Sequence, residues 1–252
     1  MKVAIVTGVS RGLGKYIAEG MLSSNIHVYG TSRSENKLLK DVAKKQNVDY
    51  TFFPADLSST KDVQQLIDQI KEKLDRKKLA CLYVINNAAI VSPVRRSENI
   101  LPEELQSHFQ INVMTPMMLL NSFVKEAMEK DFPIIGVNIS SGAAGQPISS
   151  WGPYCSAKAS IEMYTKTVAL EQDERKTDNK IIAFSPGIMD TFMQEEIRST
   201  PEKHFSNVEK FRQYKQENKL IQPQRVANIL LSILNNPKAI YNGKIYNIVD
   251  YL

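Results

Sequence analysis

Short apolar runs alternate with longer stretches of helical periodicity along nearly the whole chain, and this alternation restricts the fold more strongly than any other feature of the sequence. It is typical of repeated β-α-β units, in which helices connect parallel strands and cover the sheet. We therefore predict an α/β fold with a doubly wound parallel sheet of about seven strands flanked by helices. The predicted strands span residues 3–7, 27–31, 50–54, 79–86, 134–140, 180–184 and 244–249.

The segments between the strands carry the apolar stripes of helices that face a sheet. Leu13, Ile17 and Met21 follow one another at intervals of four residues, so they share one helical face. Ser59 is a predicted N-cap for the helix with the second stripe, with the Asp62 carboxylate near the positive helix end. The second stripe consists of Val63, Leu66, Ile67, Ile70 and Leu74.

The composition restricts the partners and the compartment. The chain has 252 residues, 42% of them hydrophobic and 23% charged, which suits one large domain over residues 1–252. The net charge of +5 comes from Lys and Arg dispersed along the chain, so nucleic acid is not an expected partner. Cys81 and Cys155 match neither a disulfide framework nor metal-ligand spacing, so we expect a cytoplasmic protein without a metal. No pattern indicates a signal peptide or a membrane span.

A glycine-rich turn joins the first predicted strand to the first predicted helix. Glycines at such a turn let the backbone approach a pyrophosphate, whose charge is favoured by free N–H groups and the helix dipole. The spacing Gly-x-x-x-Gly-x-Gly is one residue longer than the commoner dinucleotide fingerprint, and a tight turn without a ligand is the alternative for the cluster alone. The candidate dinucleotide-binding residues of this turn are Gly8, Ser10, Arg11, Gly12, Leu13 and Gly14.

The end of the second predicted strand bears on the choice between NAD and NADP. NAD sites place a carboxylate about 20 residues after the glycines, where it binds the ribose 2′-OH and would repel a 2′-phosphate. Here that position is Ser32, Arg33 follows it, and the nearest acid is Glu35. Arg33 and Arg11 supply planar donors suited to a phosphate, although each alone could be an ordinary surface charge. The pair favours NADP(H) as the cofactor.

Two further groups follow the ends of predicted strands. Asp56 and Leu57 come after the third strand, and Asn87 and Ala88 come at the end of the fourth. Ligands of open parallel sheets bind beyond the carboxyl ends of the strands, so both groups join the candidate cofactor site. For Asp56, a role in a turn or as a helix cap is the alternative.

Tyr154 and Lys158 lie four residues apart in a predicted helix after the fifth strand. This spacing puts both side chains on one helical face, where the ammonium group can act on the phenol. A neighbouring cation favours the phenolate, so we expect the pKa of Tyr154 to fall below its ordinary value of about 10. The phenol could then act as an acid or a base. An amphipathic pair without chemistry is the alternative for this spacing alone.

Together these motifs resemble the short-chain dehydrogenase/reductase family, from the glycine turn through Tyr154 and Lys158 to the Pro-Gly turn after the sixth strand. The family's serine precedes its tyrosine at a distance that selects Ser141 over Ser140. The resemblance implies that Ser141 polarises a carbonyl oxygen, Tyr154 protonates it, and Lys158 holds the nicotinamide ribose. It also implies that Asn112 anchors a water on the proton relay. The nicotinamide contacts that it implies are Pro186, Gly187, Ile188 and Thr191.

Within the family, the sequence is most similar to reductases related to sepiapterin reductase and benzil reductase, chiefly in residues 138–144, 151–155 and 243–252. The resemblance implies reduction of a ketone next to a second carbonyl or an aromatic group. Trp151 is a candidate wall for such a ketone, with core packing as the alternative. The family's Asn-Asn-Ala-Gly ends in Ala89 here, and the C-terminal Gly-Gly of acyl-carrier-protein reductases is missing. A 3-oxoacyl-thioester or steroid reductase and a dinucleotide-sensing module without turnover are the alternatives.

Two expectations concern the surface of the molecule. Residues 192–220 are either an ordinary helical insertion or a segment that covers the substrate. The resemblance also implies a homodimer or homotetramer built on helices around residues 102–130 and 153–171.

Overall fold

The predicted strands form one parallel sheet within residues 1–75 and 79–252, the part of the chain that the computed structural model describes. The strands are β1 (Lys2–Thr7), β2 (His27–Ser32), β3 (Tyr50–Pro54), β4 (Cys81–Asn86), β5 (Ile134–Ile139), β6 (Lys180–Ser185) and β7 (Ile245–Asn247). Their order across the sheet is β3-β2-β1-β4-β5-β6-β7, and every neighbouring pair is parallel. The predicted doubly wound fold of Rossmann type is therefore confirmed.

The strand ends lie within two residues of the predicted ones, and β7 is shortened at both ends. The apolar pattern predicts a strand over residues 244–249, whereas β7 ends at Asn247 and a 3-10 turn follows. The Asn247 side chain accepts a hydrogen bond from the Val249 N–H at 3.3 Å, and such local bonds compete with sheet pairing. Similarly, β4 begins at Cys81 and not at Leu79. At the end of β7 a local side-chain bond competes with sheet pairing, and apolar periodicity does not encode such a bond.

Nine α-helices lie in the described ranges. They are α1 (Gly12–Ser23), α2 (Lys37–Gln46), α3 (Thr60–Lys73), α4 (Pro102–Phe109), α5 (Thr115–Lys130), α6 (Gly152–Glu174), α7 (Phe192–Ser199), α8 (Val208–Gln216) and α9 (Pro223–Leu234). A π-helical turn, Gln110–Met114, joins α4 to α5. The predicted cap of α3 is confirmed, because the Ser59 side chain accepts a hydrogen bond from the Asp62 N–H at 3.2 Å.

Alternate residues of the central strand enter two separate cores. Ala4 and Val6 point into a core that contains side chains of α1, α2 and α9. Val3 and Ile5 point into the opposite core, which contains side chains of α3 and α5. Because helices cover both faces of the sheet, side chains on both sides of each strand are buried. The strand sequences are therefore continuously apolar and do not alternate between apolar and polar residues. The two predicted helical stripes are buried in these cores.

The centre of the sheet contains the point at which the chain reverses its direction of winding. β1 and β4 are neighbours there, and the chain extends to β3 on one side and to β7 on the other. The carboxyl ends of these two strands, at Thr7 and Asn86, therefore border a crevice. In open α/β sheets, ligands bind in this crevice.

Neither cysteine takes part in a disulfide. Among the residues that the structure describes, no group of three or more His, Cys, Asp or Glu could hold a metal ion. No helix of the described ranges is both long and apolar enough to cross a membrane.

Candidate active site

A cleft of about 1160 Å³ runs along the carboxyl ends of the strands, from the glycine turn to the first turns of α6. It is lined by all the residues assigned to the cofactor or to catalysis except Gly14 and Asn112, which lie behind its surface. The fold thus brings together residues that extend from Gly8 to Thr191 in the sequence. The lining residues of the assigned set are Gly8, Ser10, Arg11, Gly12, Leu13, Ser32, Arg33, Asp56, Leu57, Asn87, Ala88, Ser141, Tyr154, Lys158, Pro186, Gly187, Ile188 and Thr191.

The glycine turn has the open backbone that a pyrophosphate needs. Gly8 and Gly12 have φ angles of +75° and +59°, which other residues rarely adopt. Gly12 begins α1, and the Arg11 side chain does not cap this helix, so the positive helix end faces the cleft without a side-chain acceptor. A Cβ on Gly14 would overlap the Gly8 carbonyl oxygen, so this glycine lets α1 approach β1. The turn fits a dinucleotide, and Gly14 supports it from behind.

Thr7 joins the glycine turn to the end of β4. Its hydroxyl donates to the Ile85 carbonyl at 3.4 Å and accepts from the backbone N–H groups of Asn87 and Ala88, both at 2.9 Å. The Asn87 side-chain amide donates to the Thr7 carbonyl at 2.9 Å. These bonds fix the separation of the two strand ends that border the crevice. Ala89 does not adopt a positive φ, so its Cβ introduces no strain in place of the family's glycine.

The end of the cleft beside β2 contains Arg33 but not the nearest acid, Glu35. The Glu35 carboxylate instead pairs with Lys40 at 3.0 Å. Asp56 accepts hydrogen bonds from the N–H and the hydroxyl of Ser58 at 3.0 and 2.8 Å. These bonds lower the pKa of Asp56, with a smaller contribution from the Arg33 charge. Asp56 therefore has the predicted alternative role in a turn while it also lines the cleft.

Ser141 and Tyr154 meet on the floor of the cleft. The Tyr154 hydroxyl lies 3.9 Å from Met193 Sδ, and the Ser141 side chain is near enough to lower the pKa of the phenol. Ser140 is engaged elsewhere, because its hydroxyl donates to Glu162 at 2.6 Å. Both serines line the cleft, and Ser141 is the one near the phenol, while the Ser140 hydroxyl is used by Glu162.

Lys158 lies on the same face of α6 as Tyr154, but it does not acidify the phenol. Its Nζ donates to the Ile139 carbonyl at 2.8 Å and lies 5.6 Å from the centre of the Tyr154 ring. Burial raises the pKa of Tyr154 to about 12 and lowers that of Lys158 to about 8, because each charged form loses its hydration. The expected fall in the pKa of Tyr154 is therefore wrong, since desolvation by burial is the largest cause of its shift.

Asn112 lies in the π-helical turn between α4 and α5. Its side chain pairs twice with the Ile90 backbone, accepting from the N–H at 3.0 Å and donating to the carbonyl at 2.8 Å. The same amide nitrogen lies 2.9 Å from Nε2 of His108, a buried residue that the sequence interpretation missed. Burial lowers the pKa of His108. The available signal was its position four residues before Asn112, the spacing of neighbours on one helical face.

Several side chains of residues 192–220 line the cleft, and we call these residues the covering segment. Phe205 and Phe211 of this segment contact the Trp151 ring, with ring centres 5.5 and 5.3 Å apart. The Trp151 ring in turn meets Tyr154 edge to face at 5.4 Å. The segment therefore shares an apolar core with the start of α6.

Two polar contacts hold the covering segment over the cleft. The Arg11 guanidinium lies 3.8 Å from the centre of the Phe192 ring, a cation-π contact with the first residue of α7. The Ser92 hydroxyl donates to the Glu196 carboxylate on the same helix. The first contact joins the segment to the glycine turn, and the second joins it to the loop after β4.

The Pro-Gly turn after β6 leads directly into the covering segment. Gly187 has a φ of +70°, and a Cβ there would lie 2.8 Å from the Ile248 side chain. The Ile188 carbonyl accepts a hydrogen bond from the Ile221 N–H at 2.9 Å, and Thr191 is the N-cap residue of α7. The turn is thus connected to both ends of the covering segment: it leads into α7 through Thr191, and it is hydrogen-bonded to Ile221, the residue after the segment.

Comparisons with known proteins agree with this architecture. The family model for short chain dehydrogenase matches residues 2–202. The chain is 36% identical to benzil reductase ((S)-benzoin forming) of Bacillus subtilis over 252 residues, 100% of both chains. It is 30% identical to sepiapterin reductase of Xenopus laevis over 203 residues, 77% of this chain and 75% of that one.

A solved short-chain dehydrogenase/reductase from Saccharomyces cerevisiae is also similar, with a TM-score of 0.80 and 29% identity. The match covers 98% of this chain and 96% of the yeast chain. The glycine turn, the serine and tyrosine in the cleft, and these similarities have one explanation: the chain belongs to the short-chain dehydrogenase family, whose members are oxidoreductases that bind a nicotinamide dinucleotide.

Proposed function

We propose that the chain reduces a ketone to an alcohol with NADPH as the cofactor and Tyr154 as the proton donor. We further propose that this ketone stands next to a second carbonyl or an aromatic ring. The observation that carries the proposal is that Ser141 and Tyr154 lie close together on the floor of the cleft, below aromatic side chains.

The protonation state of Tyr154 suits reduction. With a pKa of about 12, the phenol is protonated at neutral pH, which is the form that can donate a proton. Bound NADPH supplies the hydride, and the carbonyl oxygen then gains negative charge. An alkoxide is a stronger base than a phenolate, so transfer of the phenolic proton to that oxygen is favourable. The phenolate needed for alcohol oxidation is disfavoured by the same burial.

Ser141 and Lys158 support this step in different ways. The Ser141 hydroxyl lies near the phenol and can donate to the same substrate oxygen, so charge on that oxygen is stabilised as it forms. Lys158 Nζ uses one donor on the Ile139 carbonyl and has two donors left, which suit the ribose hydroxyls of a bound dinucleotide. Its main role is then to hold the cofactor.

The preference for NADPH follows from the charges beside β2. Arg11 and Arg33 line this end of the cleft, and Glu35 lies outside it in an ion pair with Lys40. The guanidinium groups of Arg11 and Arg33 are suited to a 2′-phosphate, and the cleft lining has no acid at the end of β2, although Asp56 lies near Arg33.

The substrate class follows from the aromatic side chains above Tyr154. Trp151 and Phe211 both line the cleft, and flat aromatic rings can stack against such side chains. Benzil is an aromatic diketone, and the reductase of Bacillus subtilis named above is similar to this chain along its whole length.

The test is a panel of carbonyl compounds assayed with NADPH and NADH side by side. We expect turnover of benzil with NADPH, and Tyr154→Phe should lower kcat by roughly 100- to 10,000-fold while NADPH still binds. Tyr164→Phe is the matched control. The Tyr164 hydroxyl donates to the Asn121 side chain at 2.7 Å, and neither residue lines the cleft. Unchanged turnover in Tyr154→Phe would contradict the mechanism.

The same panel separates the alternatives. Preference for a 3-oxoacyl thioester or a steroid would replace the proposed substrate class. Tight NADPH binding with no reduction of any carbonyl would favour a dinucleotide-sensing module.

A further inference from the structure

His108 is a fully buried histidine one helical turn before Asn112, and none of the proposed chemical steps uses it. Its side chain is 0% exposed, and its ring lies 6.2 Å from the Tyr154 ring in an edge-to-face arrangement. Polar atoms this deeply buried need hydrogen-bond partners. The partners of the two ring nitrogens therefore indicate what the residue does.

The orientation of the Asn112 amide is fixed by the Ile90 backbone. The amide oxygen accepts from the Ile90 N–H at 3.0 Å, and the amide nitrogen donates to the Ile90 carbonyl at 2.8 Å. If the amide were rotated by 180°, its NH2 group would face the Ile90 N–H and its oxygen would face the Ile90 carbonyl, so neither bond could form. The second N–H of the Asn112 amide is then the group that meets His108 Nε2 at 2.9 Å.

This orientation determines the tautomer of His108. Because Asn112 presents a donor at 2.9 Å, we take Nε2 as the unprotonated acceptor nitrogen, and the Pro153 backbone is a further polar neighbour of the ring. Nδ1 lies 2.7 Å from the Ser92 carbonyl oxygen, which can only accept, so Nδ1 carries the proton and donates it there. His108 is thus neutral, and it joins Asn112 to Ser92 through one rigid ring.

The two residues that His108 holds, directly or through Asn112, belong to the same loop. Ile90 and Ser92 both follow β4, and both line the cleft. Ser92 also donates to Glu196 on the covering segment. A displacement of Ser92 would therefore change the wall of the cleft. Through the bond to Glu196 it would also shift the covering segment.

We propose that His108 is a positioning residue, which, as the neutral Nδ1–H tautomer, holds the Ile90–Ser92 loop in the place that orients the substrate carbonyl toward Tyr154. This inference rests on the proposed ketone reduction. His108 itself does not touch the reacting atoms. Small errors in such alignment are known to reduce rates by roughly 100-fold, so its effect should appear in kcat and in the stereochemistry of the product.

The test compares His108→Gln with His108→Leu. A Gln amide offers one acceptor and one donor and can restore both bonds, whereas Leu fills the space and can restore neither. We expect His108→Leu to lower kcat for benzil by roughly 10- to 100-fold and to reduce the enantiomeric excess of the benzoin formed. His108→Gln should recover most of both, and the Kd for NADPH should stay unchanged in both variants. Equal losses in the two variants, or wild-type kcat and enantiomeric excess in His108→Leu, would overturn the proposal.

A second measurement does not depend on turnover. Long-range 1H–15N correlation spectra of the ¹⁵N-labelled full chain, with His108→Gln used to assign the signal, report which ring nitrogen carries the proton. We expect the Nδ1–H tautomer at neutral pH. The Nε2–H tautomer or a protonated ring would overturn the proposal even if ketone reduction is established. If no ketone is reduced while the Nδ1–H tautomer is found, the proposed reaction fails and the bonding of His108 stands.

Discussion

Removal of the Lys158 ammonium group should change how the stability of the protein depends on pH. The side chain is 4% exposed, and burial lowers its pKa from an ordinary 10.5 to about 8. Between about pH 8 and pH 10.5, the unfolded chain therefore binds more protons at this position than the folded chain does, so the free energy of unfolding rises with pH. At neutral pH the buried charge lowers stability by about 3 kcal/mol, and about 2.5 kcal/mol of this is recovered at pH 10.

The assay is urea unfolding of the wild type and of Lys158→Met at pH 7 and pH 10, followed by circular dichroism. Methionine keeps the length of the side chain, and all other titrating groups are common to both proteins. We expect the wild type to gain about 2.5 kcal/mol relative to Lys158→Met between the two pH values. Lys166→Met, at an exposed position of the same helix, should show no comparable change. An equal difference at both pH values would refute the conclusion that the ammonium group is desolvated.

The other predictions concern the backbone, the cofactor and the assembly. Gly14→Ala should lower the free energy of unfolding by about 3 kcal/mol in urea titrations, because its Cβ meets the Gly8 carbonyl, whereas Gly145→Ala, with open space around its Cβ, should change it little. Arg33→Ser should raise the KM for NADPH roughly 10- to 100-fold and leave that for NADH unchanged, and equal effects would contradict a 2′-phosphate contact. Met163 of α6 is 62% exposed, and we expect a homodimer or homotetramer through α5 and α6. Light scattering should then give a smaller mass for Met163→Glu, and a monomeric wild type would contradict this.

The sequence predicted what depends on local pattern. The strands, the first helix and the glycine turn follow from apolar periodicity and from residues that need unusual φ angles, and these act over a few positions. The pairing of Tyr154 with Lys158 likewise needs only the geometry of one helix. These elements needed no knowledge of the tertiary structure.

What the sequence could not predict depends on distant contacts and on burial. The bond between Ser92 and Glu196 spans 104 positions, and no pattern in the chain indicates it. The pKa of Tyr154 was predicted in the wrong direction, because helical spacing reveals the neighbouring cation but not the loss of water around both groups. His108 was missed for the same reason: its importance comes from its partners in the folded chain.

The hydroxyl of Thr7 has a further consequence for how a ligand is recognised. A threonine hydroxyl has one hydrogen and two lone pairs, and all three are already used, on Ile85, Asn87 and Ala88. An incoming molecule cannot gain a bond from this side chain without parting two neighbouring strands. Recognition at this end of the crevice therefore falls to the main-chain amides of the glycine turn and to its Ser10 and Arg11 side chains, and the role of Thr7 is to hold the two strand ends together.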